Sequence, residues 1–258
     1  MRRHLVIAAL AMGASGTAYA QDVPNDPFEP FNRVMFHFNE KVDEYALKPV
    51  ALGYRAVTPR VFRAGVSNVL SNLHAPVVFA NDVLQVAPSR AGATLARFGI
   101  NTTIGVVGVF DVAKTFGIDR HSEDFGQTLG HWGVGAGPYL VLPFLGPSSV
   151  RDGIGDAVDV AFDPLNYAQF DGDDAVRITR GVLSVVSARE AGIEALDSLY
   201  ATSIDPYVSI RSTYTILRES AVQNGQTNVQ DLPEFEEIPS QPATEPSPAP
   251  SSTPPQGN

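Results

Sequence analysis

The chain has 258 residues, of which 18 are basic and 28 are acidic, giving a formal net charge of −10. This acidic balance argues against a nucleic-acid-binding protein, because the surfaces of such proteins are normally strongly basic. None of the 258 residues is cysteine, which excludes disulfides, thiolate metal sites and a cysteine nucleophile within this sequence.

The first 20 residues have the pattern of a secretory signal peptide. Arg2 and Arg3 precede an apolar run from Leu5 to Ala14, and Ala18-Tyr19-Ala20 fits the small-residue motif of a cleavage site. We therefore expect residues 1–20 to be removed during export. The arginine pair leaves both the general and the twin-arginine export routes open.

The segment after residue 20 predicts helices that begin at prolines. Asp26-Pro27-Phe28-Glu29 combines a capping residue, a proline suited to the first turn and an acid three positions after the cap. Apolar residues then recur at helical spacing up to Lys48-Pro49, which is expected to end or kink the helix. The apolar face comprises Phe31, Val34, Met35, Phe38, Val42 and Tyr45. Further helices are predicted to begin at Thr58-Pro59, at Pro76 (Val77 to Gln85) and at Pro88 (to about Asn101).

Two later helices follow the same pattern. Asp173 or Asp174 is predicted to cap a long helix that runs to about Tyr200, and Asp205-Pro206 begins another that ends near Asn224-Gly225. The predicted fold is therefore mostly α, with a single helical domain over residues 21–225.

Evidence for strands in this domain is weak. The short apolar stretches Tyr139–Leu142 and Val106–Phe110 lie among glycines and prolines, and no alternating pattern accompanies them. Residues 226–258 are acidic and rich in proline, so they are predicted to form a disordered tail.

A cluster of glycines lies in an uncharged stretch from Phe125 to Val150. The stretch is long enough to cross a membrane, but its glycines and prolines interrupt it repeatedly, so a loop or a hairpin of short helices is the better interpretation. Glycine permits tight turns and close approach of the backbone. The cluster is thus predicted to form either an ordinary loop between helices or the wall of a passage. Its members are Gly126, Gly130, Gly133, Gly135 and Gly137.

Charge is distributed unevenly along the domain. The segment from Arg33 to Arg97 has a net charge of +4, whereas Phe98 to Arg218 has −7. Amphipathic helices rich in basic and aromatic residues can lie in a membrane interface. The same pattern also fits a solvated face over an ordinary core, and both interpretations stay open here.

No catalytic or metal-binding motif stands out. His121, Ser122 and Asp124 are neighbours in sequence but do not form a nucleophile elbow, and Glu123 could join His121 and Asp124 around a cation. Gly133-Val134-Gly135 lacks the strand and helix of a dinucleotide-binding motif. No enzyme activity, cofactor or metal is therefore predicted.

A series of motifs extends from about Asp26 to Glu219. It begins at Asp26-Pro27-Phe28-Glu29-Pro30-Phe31-Asn32-Arg33, and its most specific part is the continuous run from Glu123 to Tyr139. Its other members are Phe38-Asn39, Asn72-Leu73, Arg97-Phe98, Asn101-Thr102, Gly146-Pro147-Ser148, Arg151-Asp152 and Asp205-Pro206-Tyr207. Together these motifs resemble the MlaA/VacJ family of outer-membrane phospholipid-transport components.

The resemblance implies a ring-like bundle of amphipathic helices in the inner leaflet of the outer membrane, on its periplasmic face. It implies that mislocalised outer-leaflet phospholipid passes through an amphipathic channel to the periplasmic carrier MlaC, beside a trimeric porin and without covalent chemistry. Asn32, Arg33, Phe38, Asn39 and the five glycines become candidate channel or channel-shaping residues. For Asn32, Arg33 and Asn39, the alternative role is to form hydrogen bonds between helices.

One feature departs from the family. Its members are commonly lipoproteins acylated on a cysteine, and this sequence has none. We therefore expect a protein without a lipid anchor, held by its amphipathic surface, by a porin or by both. The alternative function is a scaffold or binding module of the same fold that does not transport lipid.

Overall fold

The computed structural model describes residues 26–224, and these residues are mostly helical, as predicted. The predicted signal peptide and tail lie outside this range. None of the helices within it has the length and apolar character needed to cross a membrane. The elements are α1 (Glu29–Val42), a π-helical turn (Asp43–Leu47), α2 (Lys48–Val57), α3 (Arg60–Leu84), α4 (Pro88–Thr103), a 3-10 turn (Ala113–Phe116), α5 (Phe125–His131), β1 (Tyr139–Leu142), β2 (Gly146–Ser149), α6 (Val150–Phe162), a second 3-10 turn (Pro164–Asn166), α7 (Asp173–Ala191), α8 (Ile193–Thr202) and α9 (Pro206–Val222).

The first helical segment continues through Lys48-Pro49 and ends at Val57. A π-helical turn joins α1 to α2, and Pro49 lies in the first turn of α2. The predicted interruption is therefore a change of helical pitch and not an end. Asp43, within the π turn, pairs with Arg189 of α7 at 2.6 Å, which fixes this turn against a distant helix.

The helix predicted to begin at Pro76 does not exist separately. Pro76 lies inside the 25-residue helix α3, which begins after Pro59 as predicted. A proline in a helix interior removes one backbone hydrogen bond, but α3 packs against α4, α6 and α7, and these contacts hold it together. The helix predicted from Pro88 is confirmed as α4.

The stretch Tyr139–Leu142, where the sequence offers only weak evidence for a strand, does form one. Strand β1 pairs antiparallel with β2, with Tyr139 opposite Ser149 and Leu142 opposite Gly146. Gly146 (φ +83°) and Phe144 (φ +64°) adopt left-handed backbone conformations that close the hairpin. The second stretch, Val106–Phe110, forms turns as expected.

The glycine cluster is only partly a loop. Gly126 and Gly130 belong to α5, whereas the last three glycines lie in the connection from α5 to β1. Helix α5 packs closely on α6: a Cβ on Gly155 of α6 would lie 2.7 Å from the Cα of Gly126. The expected close approach of backbones is therefore present, but it joins two helices that the sequence patterns did not predict.

The long helix predicted up to Tyr200 is divided in two. Gly192 separates α7 from α8, and Gly172 (φ +90°), and not an aspartate, is the N-cap of α7. The last helix is as predicted: the Asp205 carboxylate accepts the backbone N–H of Tyr207 at 3.0 Å, and Asn224 beyond the end is left-handed.

Polar side chains dominate the interior of the described residues. Eighteen polar or charged residues in this range are buried, compared with eleven hydrophobic ones. A small hydrophobic cluster lies where α1, β1 and α9 meet, and it contains Phe36, Tyr139, Val141 and Tyr207. Large apolar side chains are instead exposed on the outside, including Val57 (81 %), Val61 (76 %) and Phe62 (69 %).

Candidate functional site

Two adjoining cavities, which we call the polar cavities because most of their lining residues are polar, lie between α3 and α7. The first, of about 360 Å³, is also bounded by α4 and by the segment that precedes α5; we call it the α4 cavity. The second, of about 550 Å³, is bounded by α6 and is called the acidic cavity because five carboxylates line it. His74, Ser122 and Ser184 line both cavities. We call these three residues the junction, because they lie at the boundary between the two cavities.

Helix α7 lines the cavities with its polar face. Arg177, Arg180, Ser184 and Ser187 recur every three or four positions and face the cavities. On the other side of the helix, three apolar residues at the same spacing are exposed to the outside of the molecule. The helix is thus amphipathic in the sense expected when water is inside and an apolar phase is outside. The exposed apolar residues are Ile178, Val182 and Val185.

Three of the five carboxylates in the acidic cavity have an arginine partner. Arg90 pairs with Glu123, and Arg180 pairs with Asp163. Arg218 contacts Asp124 at 2.6 Å. Burial alone would raise the pKa of Asp124, but the hydrogen bonds and charge of Arg218 lower it overall.

The remaining two carboxylates, Asp156 and Asp159, make no ion pair within residues 26–224, although the charge of Arg218 acts on Asp156. Asp159 accepts hydrogen bonds from the Asn81 side-chain amide at 2.8 Å and from the Phe125 backbone N–H at 2.9 Å. Burial raises the pKa of Asp159 to about 6. Burial, together with the negative charge of Asp124, also raises the pKa of Asp156. At neutral pH Asp159 is thus an anion in surroundings that disfavour the charge.

The neighbouring residues His121, Ser122, Glu123 and Asp124 do not form a joint catalytic or cation site. The His121 Nε2 atom lies 3.0 Å from the buried Asp82 carboxylate, whereas Asp124 is held by Arg218. Within residues 26–224, no group of three histidine, aspartate or glutamate side chains has the geometry to hold a metal ion.

Asn32 and Asn39 hold the β-hairpin against α1. The Asn32 side chain donates to the Tyr139 carbonyl oxygen and accepts the Val141 N–H, both at 2.9 Å. Two turns later, Asn39 donates to the Leu142 carbonyl oxygen at 2.9 Å and accepts the Phe144 N–H at 2.8 Å. These are hydrogen bonds between elements, the alternative left open by the sequence.

Arg33 and Phe38 also contact other parts of the fold. Arg33 pairs with Glu29 and with Asp205 and lies over the Tyr207 ring at 4.4 Å. Phe38 packs edge-on against Phe144 at the hairpin tip, with ring centroids 5.1 Å apart, and is 41 % exposed.

None of the nine candidate residues lines either polar cavity. Gly126 and Gly130 pack against α9, where their Cβ atoms would crowd Arg218 and Val222, and Gly137 approaches Val150. The candidates therefore surround the hairpin and α5, and the cavities lie elsewhere. The lining residues on α7 were missed, although their polar spacing is visible in the sequence, and His121 to Asp124 were considered only as a catalytic or cation site.

The comparisons with known proteins agree with one another. A family model described as MlaA lipoprotein matches residues 24–221. The intermembrane phospholipid transport system lipoprotein MlaA of Escherichia coli K12 is 34% identical over 235 residues, which cover 89% of this chain and 91% of that protein. The protein of the same name from Haemophilus influenzae is 33% identical over 88% of this chain and 93% of its own length.

Other relatives carry no functional name. An uncharacterized protein of Rickettsia typhi is 37% identical over 201 residues, which cover 77% of this chain and 78% of that protein. A solved structure reported as "Structural basis for maintenance of bacterial outer membrane lipid asymmetry" superposes with a TM-score of 0.68 at 36% identity. The match covers 77% of this chain and 99% of that one.

Proposed function

The chain belongs to the MlaA lipoprotein family, and from this premise we propose that it transports phospholipid to maintain the lipid asymmetry of the outer membrane. In this function it takes phospholipid that has reached the outer leaflet and passes it to a periplasmic carrier of the MlaC type. The relatives are named as parts of a transport system, and no bond of the lipid needs to be broken in this step.

The proposal rests on how polarity is distributed in the molecule, with apolar side chains outside and polar side chains inside. Exposed apolar side chains cover the helices on the outside, and polar side chains, several of them buried, line the two adjoining cavities inside. A charged headgroup that crosses hydrocarbon unaided loses its hydration at a large free-energy cost. A polar lane through the joined cavities lowers this cost, while the acyl chains stay in an apolar phase.

We infer that the protein lies on the periplasmic face of the outer membrane and is held there by its apolar surface and a trimeric porin. The curated relatives are named lipoproteins, whereas this sequence has no cysteine that could be acylated. Exposed apolar side chains on α2, α3 and α7 provide the contact with the bilayer instead.

The nine residues predicted from the sequence act in this proposal by shaping the lane and not by lining it. Asn32 and Asn39 fix the hairpin to α1, and Gly126 and Gly130 let α5 approach α6 and α9. Because α5 begins directly after the lining residues Glu123 and Asp124, its position sets the position of one wall of the acidic cavity.

The alternative is a scaffold of the same fold that does not pass lipid. The two functions differ in what happens when the junction is filled. Ser184→Trp places a large side chain between the cavities, whereas Val185→Trp places the same side chain on the exposed apolar face one residue later. A scaffold would not depend on an open junction.

The test complements a deletion strain with each variant and measures phospholipid in the outer leaflet. We expect Ser184→Trp to behave like the deletion and Val185→Trp to behave like the wild type, at equal amounts of protein in the outer-membrane fraction. Full function of Ser184→Trp would exclude transport through these cavities and favour the scaffold. Recovery of the wild-type protein in the soluble periplasm would also contradict the proposed location.

A further inference from the structure

The two joined cavities carry unpaired charges of opposite sign. In the acidic cavity, Asp156 makes no hydrogen bond or ion pair with residues 26–224, and the partners of Asp159 are the neutral donors Asn81 and Phe125. Both arginines that line this cavity are neutralised: Arg180 by Asp163, and Arg177 by Asp173 and Asp174. The charge left over in this cavity is therefore negative.

The α4 cavity has the opposite excess. Arg97, which lines it, pairs with Asp111 at 2.7 Å, and these two charges cancel. Arg120 also lines the cavity, at its exposed side, and has no hydrogen-bond or ion-pair partner among residues 26–224. His74 at the junction adds no charge near neutral pH, because burial lowers its pKa. One cation thus lies on one side of the junction and two carboxylates lie on the other.

This arrangement matches the charges of one class of phospholipid headgroup. We propose that the lane selects zwitterionic phospholipids whose headgroup carries an ammonium group over phospholipids with a net negative charge. This inference rests on the proposed transport function and names the substrate class that the lane prefers.

The physical reason lies in the second charge of the headgroup. Every phospholipid carries a phosphate, which Arg120 attracts equally in all of them. An ammonium group finds a counter-charge at Asp156 and Asp159, and its approach also relieves the repulsion between these carboxylates and the phosphate. A headgroup with a neutral alcohol in place of the ammonium brings only negative charge to the acidic cavity, so its entry is disfavoured.

The test uses the purified full chain in phosphatidylcholine vesicles that contain a trace of fluorescent lipid. The label is on an acyl chain, and the lipid is either phosphatidylethanolamine or phosphatidylglycerol. The quantity measured is the protein-dependent rate of transfer to a cyclodextrin acceptor, expressed as the ratio of the two lipids. We expect the wild-type protein to favour phosphatidylethanolamine by roughly fivefold, the size of one or two partly screened charge contacts.

Three variants separate charge selection from a general effect on the fold. The double variant Asp156→Asn/Asp159→Asn is expected to bring the ratio close to one. Asp171→Asn removes one carboxylate that is exposed and lines neither cavity, so it should leave the ratio unchanged. Arg120→Gln should slow the transfer of both lipids and preserve the ratio.

The dependence on salt provides a further check. Because exposed charges are screened by salt, the wild-type preference should also shrink as ionic strength rises.

The outcomes distinguish the selection from the transport function. If the wild-type protein transfers both lipids at equal rates, or if the double variant keeps the wild-type ratio, the selection is wrong and transport stands. If the wild-type protein transfers neither lipid above the protein-free background, the proposed function fails and the selection fails with it.

Discussion

The side-chain amide of Asn32 donates a hydrogen bond to the carbonyl oxygen of Tyr139 at 2.9 Å, across 107 residues of sequence. The same side chain accepts the N–H of Val141, so one buried asparagine satisfies two backbone groups of β1. This contact replaces the partner strand that β1 lacks on that side, and it connects the first helix to the hairpin.

Replacement of Asn32 by alanine should therefore be costly. Asn32→Ala leaves a buried carbonyl and a buried N–H without partners, and we expect the free energy of unfolding to fall by about 3 kcal/mol. Asn39→Ala removes the equivalent pair of bonds near the exposed hairpin tip, where water can replace them, and should cost about 1 kcal/mol. Chemical denaturation of both variants measures the difference, and equal losses would contradict the role given to burial.

The contact between α5 and α6 predicts a second large effect. A Cβ on Gly155 would overlap the backbone of Gly126, so Gly155→Ala must push the two helices apart. We expect a loss of about 2–3 kcal/mol, as for other overpacked sites. Gly53→Ala is the matched control, because Gly53 is also within a helix but its Cβ would meet no atom within 4 Å. That variant should match or exceed the stability of the wild type, by up to about 1 kcal/mol. Thermal unfolding tests both, and the prediction fails if the two alanines have the same effect.

Asp159 predicts a specific dependence of stability on pH. Burial raises its pKa from 3.8 to about 6 in the folded protein. Between about pH 4 and pH 6 the unfolded chain therefore loses this proton while the folded protein keeps it, so the contribution of Asp159 to stability falls as pH rises. The loss is on the order of 3 kcal/mol and is nearly complete above about pH 7.

The comparison of wild type with Asp159→Asn isolates this contribution. Asp124 and Asp152 act in the opposite direction, because Arg218 lowers both pKa values overall, but they are present in both proteins and cancel. The free energy of unfolding should be measured for both proteins from pH 4 to pH 7. The value of the variant minus that of the wild type should increase as pH rises. A constant difference across this range would show that the pKa of Asp159 is ordinary.

Local chemistry explains which elements could be predicted from the sequence. Pro59, Pro88 and Asp205 mark helix starts because capping and the missing proline N–H act within one turn. Pro76 has the same local chemistry, yet it lies inside α3, because the contacts of α3 with other helices outweigh one lost hydrogen bond. Such contacts are not visible in a local pattern.

The candidate site was harder to predict for the same reason. Glycines at 126 and 130 signalled close packing, but their partners, Gly155 and Val222, are distant in sequence. Strand β1 shows no alternation of polar and apolar residues because all four of its residues are apolar, although only Tyr139 and Val141 are fully buried. One edge of the strand is satisfied by Asn32, which is distant in sequence. The polar spacing of Arg177, Ser184 and Ser187 on α7 was available from the sequence, and it would have located the cavities.

The exposed apolar surface predicts how the protein is held at the membrane. Val61 and Phe62 begin α3 and expose 76 % and 69 % of their surface to the outside. If this surface enters the bilayer, Val61→Glu/Phe62→Glu should lower membrane partitioning on the order of tenfold or more, because two apolar contacts are lost and two charges are introduced. The neighbouring variant Arg60→Glu, which adds a negative charge outside this apolar pair, should have a much smaller effect. Fractionation followed by a carbonate wash measures the protein retained in the outer membrane. Full retention of the double variant would assign attachment to a porin or another anchor, since the apolar surface would then contribute little.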